Sequence, residues 1–152
     1  MKTKQFGLLS IVILCLTVSC GVKKPINDIV SIKHGTSFGM CNGYCFNEYA
    51  YSESSSVKFS KGWGRTDLSN YPDKYDTIEF SNKDWDNLLE LLDTEKFYAL
   101  SEVIGCPDCA DGGAEWIEIV TEQKTVKVTF EFGSDVAEIN GLLTFLRARE
   151  KQ

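Results

Sequence analysis

The chain alternates between two spacings of apolar residues, one of period two and one close to 3.6. Period-two spacing between short polar breaks is typical of β-strands, in which successive side chains point to opposite faces. The strands that it predicts cover residues 29–34, 46–51, 57–61, 75–80, 114–121 and 125–132. Only the turn Glu122-Gln123-Lys124 separates the last two, so they are predicted to form a hairpin.

Two longer segments have helical spacing. The first follows Ser81 and Asp84, which are spaced as in a capping box. The apolar residues that would share one face of this helix are Trp85, Leu88, Leu89 and Leu92. The second helix is predicted to start with Ser134 as its N-cap and Asp135 in its first turn, and to end in basic residues, as the helix dipole favours. Its apolar face comprises Val136, Ile139, Leu143 and Leu146.

The order of these elements predicts an α+β fold. We expect an antiparallel sheet of about five to six strands with two main helices packed on one of its faces. Residues 28–152 are enough for a single domain with its own core.

The first twenty residues, MKTKQFGLLSIVILCLTVSC, have the pattern of a bacterial secretion signal. Two lysines precede an apolar run of about 13 residues, which is shorter than the ~20 residues of a membrane-spanning helix. The ending Ser19-Cys20 resembles a lipobox, although Thr17 stands where leucine is usual. We therefore predict a lipoprotein signal peptide at 1–19, a lipid (diacylglycerol and a fatty acyl group such as palmitate) on Cys20, and a lipidated tether at 20–27. The alternative is a secreted protein with an unmodified cysteine at the cleavage site.

The charge of the chain limits its partners. Loss of residues 1–19 removes Lys2 and Lys4, so that the net charge moves from −6 to −8. An acidic protein without a Lys/Arg cluster is repelled by phosphate backbones, which argues against nucleic-acid binding. Membrane attachment is expected through the lipid alone.

Four further cysteines, Cys41, Cys45, Cys106 and Cys109, would follow the chain into an oxidising compartment, where disulfides are the default. We expect the two loops to meet and the disulfides to cross between them, because a bridge spanning roughly 60 residues stabilises by about 4 kcal/mol. Two local bridges are the competing arrangement. Four thiolates could instead bind zinc. A thiol-redox site is disfavoured because the paired glycines after Cys109 would break the helix that such a site needs.

Other candidate chemistry is sparse. His34 is the one histidine and is expected to be a half-exposed strand residue rather than a catalytic base. Glu115 and Glu118 form a carboxylate pair of a kind that an acidic chain produces by chance. Candidate contacts to a ligand or partner are Trp63, Asp108 and Asp111, the two aspartates lying in an acidic loop that lacks the alternating ladder of an EF-hand.

The stretches TSFGMCNGYC and GCPDCADGGAEWIEI, with the Trp-Leu-Leu helix between them, resemble small bacterial envelope lipoproteins. The group is similar to a domain-of-unknown-function family with a Cys-x-Gly-x-Cys-Pro-x-Tyr motif. Cys41, Gly43 and Cys45 match that motif, whereas Phe46 replaces its proline and Tyr49 lies one place late. The resemblance implies a fold and an anchor, and it implies no activity.

The sequence thus predicts a cell-envelope protein, lipid-anchored on the non-cytoplasmic side of a membrane. Its disulfide-stabilised domain is expected to be non-enzymatic and to bind another envelope protein or a cell-wall component, without a cofactor. The alternative is a zinc-binding or thiol-redox envelope protein that uses the four cysteines.

Overall fold

The computed structural model describes residues 28–63 and 68–150. The predicted signal peptide at 1–19, the lipidation site Cys20 and the tether at 20–27 lie outside this part of the chain. None of the helices in the described part is long and apolar enough to cross a membrane.

The fold is α+β, with a seven-stranded sheet and three α-helices. The strands are β1 (Ile29–Ser37), β2 (Gly43–Tyr51), β3 (Ser56–Trp63), β4 (Lys74–Thr77), β5 (Val103–Ile104), β6 (Ala114–Thr121) and β7 (Thr125–Glu131). The helices are α1 (Asn82–Leu91), α2 (Thr94–Tyr98) and α3 (Asn140–Arg149). The strand order is β4-β3-β2-β1-β6-β7-β5, and every neighbouring pair is antiparallel except β5 and β7. The sheet and its class agree with the prediction, while one strand and one helix more than expected are present.

One face of the sheet carries the hydrophobic core. Ile32 of β1 lies opposite Tyr51 of β2 and Ile119 of β6, and residues that face each other across strands share a face of the sheet. The buried side chains of all three helices belong to this same cluster, including Leu88, Phe97, Leu142, Leu143 and Leu146. The helices therefore pack on one face, and the opposite face of the sheet carries none of this cluster.

Several elements lie where short sequence patterns predicted them. Ser81 Oγ accepts a hydrogen bond from the Asp84 backbone N–H at 3.2 Å, and the Asp84 carboxylate accepts one from the Ser81 N–H at 3.0 Å, so the capping box of α1 is present. Strand β6 has the predicted bounds and forms the predicted hairpin with β7, whose turn is closed by a bond from the Thr121 N–H to the Lys124 carbonyl at 2.9 Å.

Several predicted boundaries were wrong. Strand β1 extends to Ser37 rather than to residue 34, and β2 begins at Gly43 rather than at residue 46.

The ends of two other elements also differ from the prediction. Strand β4 ends at Thr77 rather than at residue 80, and Ile78 and Phe80 pack against the core instead. Ser134 does not cap α3, which begins six residues later after a 3₁₀ turn over Ala137–Ile139. The Ser134 hydroxyl donates to the Glu131 carbonyl at 2.8 Å, because the chain reverses at Gly133 (φ 75°), so this hydroxyl serves a turn instead of a helix end.

Candidate functional site

The two cysteine loops lie side by side at one end of the sheet, as expected. Ser37 at the end of β1 is opposite Ala114 at the start of β6, which brings the segments before and after these residues together. The Gly39 N–H donates to Asp108 Oδ1 at 3.3 Å. This direct contact joins the loop of Cys41 to the loop of Cys106 and Cys109.

The disulfides do not cross between the loops. Cys41 is bonded to Cys45 and Cys106 to Cys109, with Cα–Cα separations of 5.8 and 5.5 Å. The predicted crossed pairing was therefore wrong. Cysteines four and three residues apart meet before distant loops do, and each such bridge closes a short loop worth about 2 kcal/mol in the chain-entropy description instead of about 4 kcal/mol.

The loop that follows Cys106 has an unusual backbone. Three of its residues that are not glycine, Asp108, Ala110 and Asp111, have left-handed conformations with φ of 61°, 51° and 60°. Aspartate tolerates this region, whereas for alanine it carries a steric cost. The Asp108 N–H bonds to the Gly113 carbonyl at 3.0 Å, and the Cys106 N–H bonds to Glu131 Oε1 at 2.9 Å, which fixes the loop. This backbone differs from the helix start that a reactive Cys-x-x-Cys pair requires.

An open cleft of about 250 Å³ lies between the loops and the adjoining strands. Its apolar part is formed by Phe38, Cys45 and Phe46. Lys61 and Asp108 also line it, so the cleft has an apolar floor with one side chain of each charge. Such a combination is typical of sites that bury an apolar group and orient it by polar contacts.

A row of aromatic side chains continues from this cleft across the sheet face that bears no core cluster. We call it the aromatic row and define it as Trp116, Phe46, Phe59 and Tyr75. Successive ring centroids are 5.1, 5.9 and 4.8 Å apart. The four residues come from β6, β2, β3 and β4. The row therefore spans most of the sheet and ends at the edge strand, where Tyr75 is 71% exposed.

The inner end of the aromatic row is fixed by close packing. Trp116 is only 3% exposed although it faces away from the core, because its ring lies over Gly35 and beneath Phe46. The Lys127 ammonium lies 4.3 Å from the centroid of the indole ring, a cation–π arrangement. The row thus has one immobilised end and one exposed end.

Of the three residues predicted to contact a ligand or partner, Asp108 is among those that line the cleft. It also bonds to Gly39. Asp111 is exposed in the same loop. Trp63 ends β3 opposite Gly43, and its side chain lies outside what the structure describes. Sequence reasoning did not single out Phe46, Phe59 or Tyr75. Phe59 and Tyr75 alternate with polar neighbours along β3 and β4, a pattern that by itself predicts core-facing rings, so only strand order and register place them on the opposite face.

A buried cluster of charged side chains lies on the other face, under α3. His34 and Glu115 are 0% and 1% exposed, and His34 Nε2 lies 2.7 Å from Glu115 Oε1. Arg147 of α3 binds both carboxylate oxygens of Glu115, each at 2.8 Å, and the Gly133 N–H donates to Oε2 at 3.0 Å. His34 Nδ1 lies 2.7 Å from Glu150 Oε1, within ion-pair distance but not aligned for a hydrogen bond.

These contacts shift two pKa values in opposite directions. Burial alone would raise the pKa of Glu115, but the hydrogen bonds from His34, Arg147 and the Gly133 N–H lower it to about 2. Burial would lower the pKa of His34, yet the hydrogen bond to Glu115 and the proximity of Glu150 raise it. Glu115 is therefore held as a carboxylate and His34 is favoured as a cation.

The buried cluster corrects one sequence expectation and agrees with another. His34 is fully buried instead of half-exposed, with a carboxylate beside each ring nitrogen. Glu115 and Glu118 do not act together, since residues three apart in a strand face opposite sides, and Glu118 instead pairs with Lys33 at 2.9 Å. A signal existed for Glu115, because it alternates with Ile117 and Ile119 on the core-facing side of β6.

Within residues 28–63 and 68–150, no group of three or more His, Cys, Asp or Glu side chains is arranged to hold a metal ion. The four cysteines that a zinc site would use are paired as disulfides in this structure. In the part of the chain that the structure describes, the cysteines thus offer no thiolate set for zinc.

Comparison with known proteins returned no matching family and no significantly similar curated protein.

Proposed function

We propose that the chain is a lipid-anchored protein of the bacterial cell envelope whose folded domain is a non-enzymatic binding module. The observation that carries the proposal is the aromatic row, which leads into the cleft between two disulfide-bonded loops across the sheet face opposite the three described α-helices. The partner is another envelope protein or a cell-wall component, which the domain meets on the non-cytoplasmic side of the membrane.

The aromatic row has the properties of a contact surface. Aromatic rings bury a large apolar area per side chain and lose little conformational entropy, which is why they dominate binding energies at interfaces. Tyr75 is largely exposed, whereas its neighbour Phe59 is half-buried and stacked against it. The row therefore presents rings that are held in place before a partner arrives, which lowers the entropy cost of binding.

The cleft adds polar recognition to the row. Phe46 belongs to both, so a partner that covers the row reaches the cleft without a break. Lys61 and Asp108 provide one positive and one negative group there. The Cys106–Cys109 disulfide restricts the conformations of the loop that carries Asp108, and Lys61 is held in strand β3.

The membrane anchor is supported by the sequence of residues 1–20, and the acidic charge of the rest of the chain favours attachment through a lipid rather than through basic side chains. A lipid on Cys20 would attach the domain through a short tether. We expect the Cys20→Ala protein to leave the detergent phase in which the wild-type protein is recovered. Retention of an uncleaved Cys20→Ala protein in the membrane would mean that the segment is an uncut anchor.

Binding through the aromatic row is tested by placing a photoreactive aromatic amino acid at position 75 and irradiating intact cells. We expect adducts with an envelope protein, or co-sedimentation of the protein with isolated cell walls, and we expect Phe46→Ala to reduce either signal. The matched control is Tyr98→Ala, which removes a partly exposed aromatic ring from α2. If the photoreactive residue at position 75 yields no adducts and the protein does not co-sediment with cell walls, the aromatic row is not a binding surface. The same holds if Phe46→Ala reduces the signal no more than Tyr98→Ala does.

The thiol-redox alternative rests on one observation, the exposure of both Cys106 and Cys109. Exposed disulfides are open to attack by a thiolate. A repeated cycle of oxidation and reduction of this pair in cells would favour the alternative over a purely structural role.

A further inference from the structure

We propose that the protein self-associates through β4, which pairs antiparallel with β4 of a second copy across a two-fold axis at Tyr75. The proposal goes beyond the binding function above and does not depend on it. Strand β4 lies at one edge of the sheet and pairs with β3 alone in the described part of the chain. An edge strand offers unpaired backbone N–H and C=O groups to another strand.

The direction of the free backbone groups follows from one hydrogen bond. The Ile78 N–H donates to the Ser56 carbonyl of β3 at 3.0 Å. Backbone groups of alternate residues point the same way in an antiparallel ladder, so those of Asp76 and Lys74 also face β3. The N–H and C=O groups of Tyr75 and Thr77 therefore point outward, away from the sheet.

A two-fold axis at Tyr75 uses these outward groups. Tyr75 then lies opposite Tyr75 of the second copy, and the two residues exchange both of their backbone hydrogen bonds. Thr77 lies opposite Asp73 of the second copy, and its N–H can donate to that residue's carbonyl. The contact is the same on both subunits, as closed two-fold symmetry requires.

Charge selects this register over its neighbours. Lys74 lies opposite Asp76 of the second copy, and Asp76 opposite Lys74, so both cross-strand pairs are attractive. A shift of the axis by one residue towards the C-terminus places Asp76 opposite Asp76, and a shift the other way places Lys74 opposite Lys74. Both alternatives set like charges against each other.

The lysine in β4 also needs explanation, because lysine and proline on an edge often prevent strand pairing. Lys74 forms an ion pair with Asp76 of its own strand at 2.8 Å, so its charge is already compensated. Proline is present at position 72, outside the strand. Neither residue removes an outward N–H of Tyr75 or Thr77.

The aromatic row gives a second reason for the pairing. Tyr75 faces the same side of the sheet as Phe59, with which it stacks at 4.8 Å. Pairing at Tyr75 brings the exposed ends of two aromatic rows together and covers the most exposed ring of each. The four-residue strand makes a small interface, so we expect a weak dimer whose population rises with concentration.

The test uses charge swaps and sedimentation velocity of the purified protein over a concentration series. Lys74→Asp sets Asp against Asp across the interface, and Asp76→Lys sets Lys against Lys. Because two attractive pairs become repulsive, we expect each variant alone to self-associate at least about tenfold more weakly than wild type. Mixed together, the two variants should form a heterodimer, since each then faces the opposite charge.

The double variant Lys74→Asp/Asp76→Lys exchanges the two charges and should dimerise like wild type, which rules out misfolding as the cause of the single-variant loss. A wild-type protein that stays monomeric at the highest attainable concentration overturns the proposal. So does a dimer whose population is unaffected by the single substitutions. If β4 instead pairs with an extended peptide of another protein, the purified wild-type protein would stay monomeric. The photochemical test above uses position 75 in cells, and its failure leaves these results unaffected.

Discussion

The indole ring of Trp116 lies flat over Gly35, the residue opposite it on the neighbouring strand. A Cβ atom at position 35 would overlap ring atoms of Trp116. The absence of a side chain at this position is therefore what allows Trp116 to be buried on the sheet face opposite the three described α-helices.

We expect Gly35→Ala to destabilise the protein by about 1–3 kcal/mol, because the added methyl group must displace the indole ring or the strand. The free energy of unfolding in urea measures the effect. Gly141→Ala is the matched control, since position 141 is in α3 and its nearest neighbour atom would be in ordinary contact at 3.5 Å. Alanine favours a helix over glycine, so the control should be neutral or more stable. Equal losses at both positions would contradict the role given to Gly35.

Arg147→Met should destabilise the protein by about 3–5 kcal/mol, because it leaves the buried Glu115 carboxylate without its bidentate partner. The free energy of unfolding in urea, compared with that of the Arg149→Met protein, measures this loss. Arg149 pairs with Asp84 near the surface, and loss of such a pair costs about 0–1 kcal/mol. Adding Glu115→Gln to Arg147→Met should recover part of the lost stability. If the changes in unfolding free energy of the two substitutions simply add, Arg147 and Glu115 are not energetically coupled.

The stability of the protein should have a maximum between roughly pH 4.5 and 6.5. His34 has an ordinary pKa of 6.5 that folding raises, so its contribution is complete below that value and is lost as the pH rises through the folded pKa. Glu115 has an ordinary pKa of 4.5, lowered to about 2, so its contribution is present above 4.5 and is lost as the pH falls towards 2.

Urea midpoints measured across this pH range test the assignment. Because the sequence has one histidine, His34→Gln should remove most of the decline in stability above pH 6.5. Glutamine retains an N–H donor for Glu115. A decline that persists in the His34→Gln protein would have to come from another group.

The disulfide Cys106–Cys109 should be reduced before Cys41–Cys45. Both of its cysteines are exposed, whereas Cys45 is 2% exposed, and thiol–disulfide exchange requires access to a sulfur atom. Treatment with limiting dithiothreitol, followed by alkylation and mass spectrometry of the peptides, gives the order. Simultaneous reduction, or reduction of Cys41–Cys45 first, would show that burial does not govern reactivity here.

Elements with local signals were predictable from the sequence. The capping box of Ser81 and Asp84 and the hairpin of β6 and β7 depend on residues close in the chain, and the structure contains both. The two-residue strand β5 has too few residues to show a period, so its parallel pairing with β7 could not be predicted. The error at Ser134 has a different cause, because a serine hydroxyl is equally suited to a helix cap and to a turn.

The candidate sites were less predictable, because they join distant segments. The buried cluster combines His34, Glu115 and Arg147 from the first strand, the sixth strand and the last helix. The aromatic row likewise combines four strands, and its composition follows from strand order and register. The cysteine loops were correctly expected to meet, but whether neighbouring or distant cysteines bond depends on backbone geometry within each loop.

Strand β1 is central in the sheet, yet its two neighbours lie at very different distances along the chain. Residues 38–42 connect β1 to β2, whereas residues 38–113 separate it from β6. Loop-closure entropy grows with the logarithm of the loop length, so the longer closure costs about 2 kcal/mol more. We therefore expect β1 to pair with β2 first when the chain folds, which leaves one edge of this central strand open until β6 joins it.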